Sequence, residues 1–115
     1  MEIIRKEIKR RMSRIVIHNS IVYLCGQVAK EFPPEIQEQT LGMLENVETL
    51  LKSVGSGREK ILSATVYLKN MCDFQAMNEI WDNWIPEGHA PARTCIQAPM
   101  AYEKVLVEIS IIAAL

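Results

Sequence analysis

An arginine and a glutamate near the C-terminus are the side chains of this sequence best suited to chemistry. Glu108 lies in residues 105–112, a largely apolar and β-branched segment that is typical of a buried strand. Because a lone carboxylate is costly to bury, Glu108 needs a partner. Arg93 lies in residues 90–97, which alternate as a second strand and place Arg93 and Cys95 on one face.

We expect these two segments to form a β-hairpin that turns near Met100 and Ala101, with Arg93 opposite Glu108. The pair could be a buried structural ion pair, or the two ends of a site that grips a carboxylate and acts on it. The residues alone leave both interpretations open. The Cys95 thiol is interpreted as a packing group, because the sequence places no histidine to activate it.

Length and composition predict a single domain, residues 1–115. A formal net charge of −1 argues against a nucleic-acid or membrane-surface protein.

No apolar segment approaches the length of a bilayer span, and the N-terminus lacks a signal-peptide core, so we expect a cytoplasmic protein. The cysteines, Cys25, Cys72 and Cys95, are odd in number and lack metal-ligand spacing, which predicts reduced thiols and no metal site.

Apolar periodicity and turn residues divide the chain into strands and helices. We predict strands at residues 2–8, 14–18, 21–25, 61–68, 92–97 and 104–113, and helices that run from Pro33-Pro34-Glu35 to Gly55 and from Asp73 to Pro86. In the fourth strand, one face should carry Leu62, Ala64, Val66 and Leu68.

This order fits an α+β fold in which one mixed sheet carries both helices on one face. The other face would then expose apolar side chains, among them Tyr23, Cys25, Cys95 and either Leu106 with Ile112 or Val107 with Ile109. Such a patch predicts a homo-oligomer, with Arg93 and Glu108 in clefts between subunits.

Basic residues cluster near the N-terminus, from Lys6 to Arg14. We interpret them mainly as charges that protect an edge strand from unwanted pairing. RNA binding is the alternative, and it is disfavoured because no aromatic residue is interleaved with these charges to stack on bases.

Four segments together resemble the Rid (YjgF/YER/UK-type) family, and its YoaB-like branch most of all. They are residues 22–28 (Val-Tyr-Leu-Cys-Gly-Gln-Val), 74–78, 89–95 (His-Ala-Pro-Ala-Arg-Thr-Cys) and 104–109. The resemblance implies a chorismate-mutase-like fold and a homotrimer with a barrel-like core and sites between subunits. It also implies cofactor-independent hydrolysis of enamine or imine intermediates, such as 2-aminoacrylate, to a 2-keto acid and ammonia, as in 2-iminobutanoate/2-iminopropanoate deaminases.

The resemblance also implies roles for individual residues. Arg93 would hold the substrate carboxylate as a bidentate clamp, and Glu108 would activate the attacking water. The main chain of Cys95 would contact the ligand, and Asn78 and Gly26 match neighbouring site positions.

Two positions differ from the family pattern. Met12 stands where the deaminases carry a tyrosine, and Cys25 stands at a substrate-binding position that is usually serine. A protein that binds or senses a small carboxylate without the chemistry is therefore the alternative function.

Overall fold

Six strands and two helices follow one another in the order that the sequence predicts. The computed structural model describes all residues, 1–115. The strands are β1 Ile4–Ile8, β2 Ser13–His18, β3 Ile21–Leu24, β4 Ile61–Leu68, β5 Ala92–Gln97 and β6 Val107–Ala114, and the helices are α1 Ile36–Ser53 and α2 Phe74–Trp84. All six strands form one mixed sheet in the order β1-β2-β3-β6-β4-β5.

Helix α1 ends as its sequence predicts. Gly55 has a φ of +81°, which a glycine adopts without strain. This turn lets the Gly55 N–H donate to Lys52 O at 3.1 Å and the Ser56 N–H donate to Leu51 O at 2.9 Å. These two bonds are a Schellman motif, which satisfies carbonyls that the helix leaves unpaired.

The N-terminal strands also match their local signals. Asn19 and Ser20 both have positive φ, 51° and 64°, and close the β2–β3 hairpin. Strand β1 pairs antiparallel with β2, and all five of its residues are exposed. It is the solvated edge strand that its charges predict.

The predicted hairpin between the last two strands is wrong. Strand β5 pairs in parallel with β4, where Arg93 is aligned with Ala64. Strand β6 lies on the other side of β4 and pairs antiparallel with both β3 and β4, where Glu108 is aligned with Tyr67. The apolar β6 is thus central in the sheet, while β4, α2 and β5 form a strand–helix–strand crossover.

Both helices pack on one face of the sheet, which we call the helix face; the other we call the open face. A core cluster of 20 buried residues joins the helices to alternate positions of the strands. Cys95 packs against this core. It is aligned with Val66 of β4, which is fully buried on the helix face, and aligned residues of neighbouring strands point to the same face. Its predicted place on the open face is therefore wrong. Tyr23, 42% exposed, and its register partner Ile112 do lie on the open face.

The start of β4 departs from simple alternation. The register with β6 shifts between Ile61 and Ser63, a β-bulge that leaves Ile61 buried and Leu62 47% exposed. The prediction that Leu62 shares a face with Ala64 is wrong for this reason.

A buried glutamine that the sequence pattern did not single out fixes the connection into β6. Gln39, 1% exposed, lies on α1. Its Nε2 donates to Pro33 O at 2.7 Å and Lys104 O at 2.9 Å, and its Oε1 accepts from the Leu106 N–H at 2.9 Å. The segment before β6 is therefore fastened to the helix layer, and the buried amide is satisfied.

Candidate functional site

Arg93 is held in a fixed orientation by helix α2. Its Cζ lies 5.2 Å from the centroid of the Trp81 ring, and its Nη2 donates to Asn78 Oδ1 at 2.7 Å. Its Nη1 lies 3.8 Å from Met77 Sδ. We call Arg93, Asn78, Trp81 and Cys95 the arginine half-site. Stacking and hydrogen bonding orient the flat guanidinium before any ligand arrives.

Arg93 has no carboxylate partner in the chain. It takes part in none of the four ion pairs. Arg58 offers a contrast, because it also lies over a tryptophan, 5.4 Å from the Trp84 ring centroid, but pairs with Glu48 at 2.7 Å. A guanidinium has five N–H donors, so Arg93 keeps donors for the oxygens of an external anion.

Cys95 lies two residues after Arg93 on the same face of β5. Burial raises the pKa of its thiol, and this effect outweighs the nearby Arg93, which lowers it. The thiolate is therefore scarce at neutral pH, which favours packing over a nucleophilic role.

Glu108 lies on the open face, in a second cluster. It lines a cavity of about 290 Å³ together with Gly26, Tyr67, Ala98, Pro99, Met100 and Ser110. We call Glu108, Gly26, Tyr67 and Ser110 the glutamate half-site. None of the side-chain hydrogen bonds or ion pairs involves Glu108. Its carboxylate is free to accept from a water or a ligand.

Gly26 leaves room for the observed position of the Glu108 carboxylate, which would have to move if residue 26 had a side chain. A Cβ at residue 26 would overlap Glu108 Oε2 and lie 3.1 Å from the carboxyl carbon. The neighbouring Cys25 is half-buried, and Gln27 Nε2 donates to its carbonyl at 3.0 Å and contacts its Sγ at 3.2 Å. Neither Cys25 nor Met12 lines the Glu108 cavity.

The structure brings the predicted site residues together in two groups rather than one. Arg93 is aligned with Ala64 and points to the helix face, whereas Glu108 is aligned with Tyr67 and points to the open face. The predicted pairing of Arg93 with Glu108 across adjacent strands is therefore wrong. Within one chain the two half-sites lie on opposite faces of the sheet, with β4 between their strands.

A larger cavity, of about 640 Å³, is lined by residues 97–103 and Lys69. The charged groups there are already engaged, since Lys69 Nζ lies 3.5 Å from Glu103 Oε1 and donates to Glu103 O at 2.6 Å. This cavity is a weaker candidate than the Glu108 cavity, with which it shares residues 98–100.

Three residues of the half-sites were not predicted as site residues. The helical spacing of Met77, Asn78 and Trp81 was the signal that could have placed Trp81 beside Asn78. Tyr67 and Ser110 lie on the same face as Glu108, but only the strand order brings them together.

The chain contains no group of three or more His, Cys, Asp or Glu side chains placed to hold a metal ion. Neither helix combines the length and the apolar character that crossing a bilayer requires.

Comparison with known families identifies the class of protein. The family model described as "Endoribonuclease L-PSP" matches residues 5–115. The chain therefore belongs to this family, Ribonuc_L-PSP, also called YjgF or Rid. This result confirms the predicted family and, together with the solved structures below, the predicted α+β fold.

Individual relatives agree with this assignment. The chain is 40% identical to the RutC family protein YoaB of Escherichia coli strain K12 over 114 residues, which cover 99% of each chain. It is similar in structure to a member of the YjgF protein family from Neisseria meningitidis, with a TM-score of 0.96, 34% identity, and 99% of this chain and 95% of that chain covered. An uncharacterized protein from Pseudomonas aeruginosa has a TM-score of 0.95 at 40% identity, with 98% of each chain covered.

Proposed function

We propose that this protein is a cofactor-independent deaminase that hydrolyses small 2-imino acids, or the enamines in equilibrium with them, to 2-keto acids and ammonia. The observation that carries the proposal is a pair of charged side chains without ionic partners. Arg93 is oriented by Asn78 and Trp81 but has no carboxylate partner, and Glu108 lines a cavity but has no cationic partner. A carboxylate-bearing substrate and an attacking water would complement one charge each.

In the proposed reaction, Arg93 grips the substrate carboxylate through two N–H donors. Glu108 accepts a proton from a water molecule as the water oxygen bonds to the imine carbon and the nitrogen takes up a proton from solvent. The carbon then carries a hydroxyl and an amino group. Glu108 returns its proton to that nitrogen. The C–N bond breaks as the hydroxyl oxygen forms the keto C=O bond and releases its proton to solvent, so that ammonia leaves and a 2-keto acid remains.

The proposed site is assembled between copies of the chain, since one chain holds its halves on opposite faces of the sheet. The open face is suited to a second copy: Tyr23 is 42% exposed and Ile96 is 44% exposed, on strands β3 and β5. An apolar face of this kind is seldom left to water. A homotrimer remains the assembly that we predict, and light scattering coupled to size exclusion measures it directly.

The test is a direct assay of the wild-type protein. An amino-acid oxidase generates 2-iminopropanoate or 2-iminobutanoate in the cuvette, and 2-keto acid formation is followed with and without the protein. We expect a saturable acceleration that needs no added metal or cofactor. A rate equal to the spontaneous one, from protein that is folded and oligomeric, would contradict the proposed reaction.

A second candidate is a protein that binds small carboxylates without turning them over. The arginine half-site favours it, because Arg93, Asn78 and Trp81 are already in place within one chain and do not depend on Glu108. Calorimetry with 2-oxobutyrate separates the two candidates. Binding without acceleration in the assay above would favour the second.

A further inference from the structure

Two hydroxyl groups stand beside Glu108 on the open face. Tyr67 on β4 is the register partner of Glu108 on β6. Side chains that lie directly opposite in antiparallel strands have Cβ atoms roughly 4.5–5.5 Å apart. Ser110, on the same face of β6, donates from Oγ to the Tyr67 hydroxyl at 3.4 Å. Both residues line the cavity with Glu108.

The Tyr67 hydroxyl has a proton that the chain does not use. It accepts from Ser110, and no side-chain hydrogen bond of the chain has Tyr67 as the donor. The remaining lining residues are glycine, alanine, proline, methionine and Glu108 itself. An ionised Glu108 can only accept hydrogen bonds, so Tyr67 and Ser110 are the side-chain donors of this cavity.

A 2-imino or 2-keto acid has one polar atom besides its carboxylate, on the adjacent carbon. If Arg93 holds the carboxylate, this atom faces the half of the site that contains Glu108. An imine nitrogen or keto oxygen needs a donor, which an ionised Glu108 cannot provide when the ligand binds.

We infer that Tyr67 is the specificity-determining donor of the site, its hydroxyl bonding the imine nitrogen or keto oxygen next to the substrate carboxylate. Ser110 is a positioning residue that holds the phenol in place. The inference rests on the proposed function and names its substrate class: acids with an acceptor at carbon two, selected over acids that lack one. A site built to bond such a group discriminates against the analogue without it, because its donor is then left unpaired.

The test compares two ligands that differ at carbon two, 2-oxobutyrate and butyrate, by calorimetry on the intact oligomer. Wild-type protein should prefer 2-oxobutyrate. Tyr67→Phe should lower the affinity for 2-oxobutyrate about tenfold, the effect of one lost hydrogen bond, and leave that for butyrate within about twofold. Ser110→Ala should act in the same direction but less. Tyr23→Phe, which removes a hydroxyl elsewhere on the open face, is the matched control and should change neither affinity.

Kinetics give a second measure. Tyr67→Phe should lower kcat/KM about tenfold for the imine while Tm and oligomer size stay at wild-type values. If Tyr67→Phe lowers both affinities equally, Tyr67 only supports the fold. If it changes neither affinity, Tyr67 does not contact the group at carbon two. Either result overturns the inference.

Arg93→Ala separates this inference from the proposed function. This variant should lower the affinity for 2-oxobutyrate and for butyrate by the same factor, because both acids carry the carboxylate. If Arg93→Ala behaves so and Tyr67→Phe has no effect, only the role of Tyr67 fails. If Arg93→Ala leaves both affinities intact, or wild-type protein binds neither acid, the proposed function fails and the role of Tyr67 falls with it.

Discussion

The two half-sites differ in how the chain builds them. The arginine half-site comes from one stretch of sequence, where Met77, Asn78 and Trp81 of α2 meet Arg93 of the next strand. The glutamate half-site is gathered from β4, β6, Gly26 after β3 and the loop at residues 98–100. The arginine half-site is formed by residues close in sequence and offers donors to an anion. The glutamate half-site is formed by residues distant in sequence that the strand order brings together. We therefore expect binding to depend on the first and chemistry on the second.

The largest expected effect is on turnover. Glu108→Gln keeps the size of the side chain but removes the proposed base, so kcat should fall by roughly 10²–10⁴-fold. Calorimetry should show 2-oxobutyrate binding within a fewfold of wild type. If binding were lost as well, the separation of roles between the half-sites would break down.

Arg93→Ala should mainly affect binding. Losing a charge-assisted contact, which contributes roughly 1.5–3 kcal/mol, should weaken the binding of 2-oxobutyrate by on the order of 100-fold. Arg58→Ala is the matched control, because it removes an arginine from over Trp84 without touching the half-site. Equal losses in both variants would point to a general destabilisation, which a thermal melt would detect.

Asn78→Asp should give Arg93 an internal ion pair. The acceptor 2.7 Å from Nη2 would become a carboxylate that competes with the ligand. We expect about a tenfold loss of 2-oxobutyrate affinity with little change in kcat. Asn83→Asp adds the same charge at an exposed position of α2 and should have no effect. Tighter ligand binding in Asn78→Asp would contradict the assigned role of Asn78.

The smallest expected effect is at Cys95. Because burial raises the pKa of its thiol, alkylation should be slower at neutral pH than for an ordinary thiol and should accelerate as rising pH forms the thiolate. The exposed Cys72 should react first, as peptide mass mapping can show. Cys95→Ser should keep activity within about threefold, whereas loss of turnover with an intact fold would implicate the thiol.

The same distinction explains how much the sequence could predict. The α1 bounds, the Asn19-Ser20 turn and the exposed β1 follow from local signals: proline and glycine at helix ends, turn residues and edge charges. The insertion of β6 between β3 and β4 does not, because strand neighbours are chosen by long-range burial. The assumed β5–β6 hairpin failed for this reason.

The wrong β5–β6 hairpin also gave a wrong geometry for the candidate site, because it set Arg93 opposite Glu108. Arg93, Asn78 and Cys95 fall together, as do Gly26 and Glu108, and that these side chains form a site stays a prediction. Apolar periodicity selects apolar positions only, and it therefore overlooked Gln39, whose bonds to the segment before β6 only the fold reveals.

The central claim is that one site uses Arg93 from one copy and Glu108 from another. Co-expression of Arg93→Ala and Glu108→Gln chains with different tags, followed by purification on both tags, isolates mixed oligomers. Each variant alone should be inactive, but a cyclic trimer that contains both variants has both intact side chains at one of its three interfaces, so roughly a third of wild-type activity should return. Mixed oligomers that stay as inactive as the separate variants would contradict the claim.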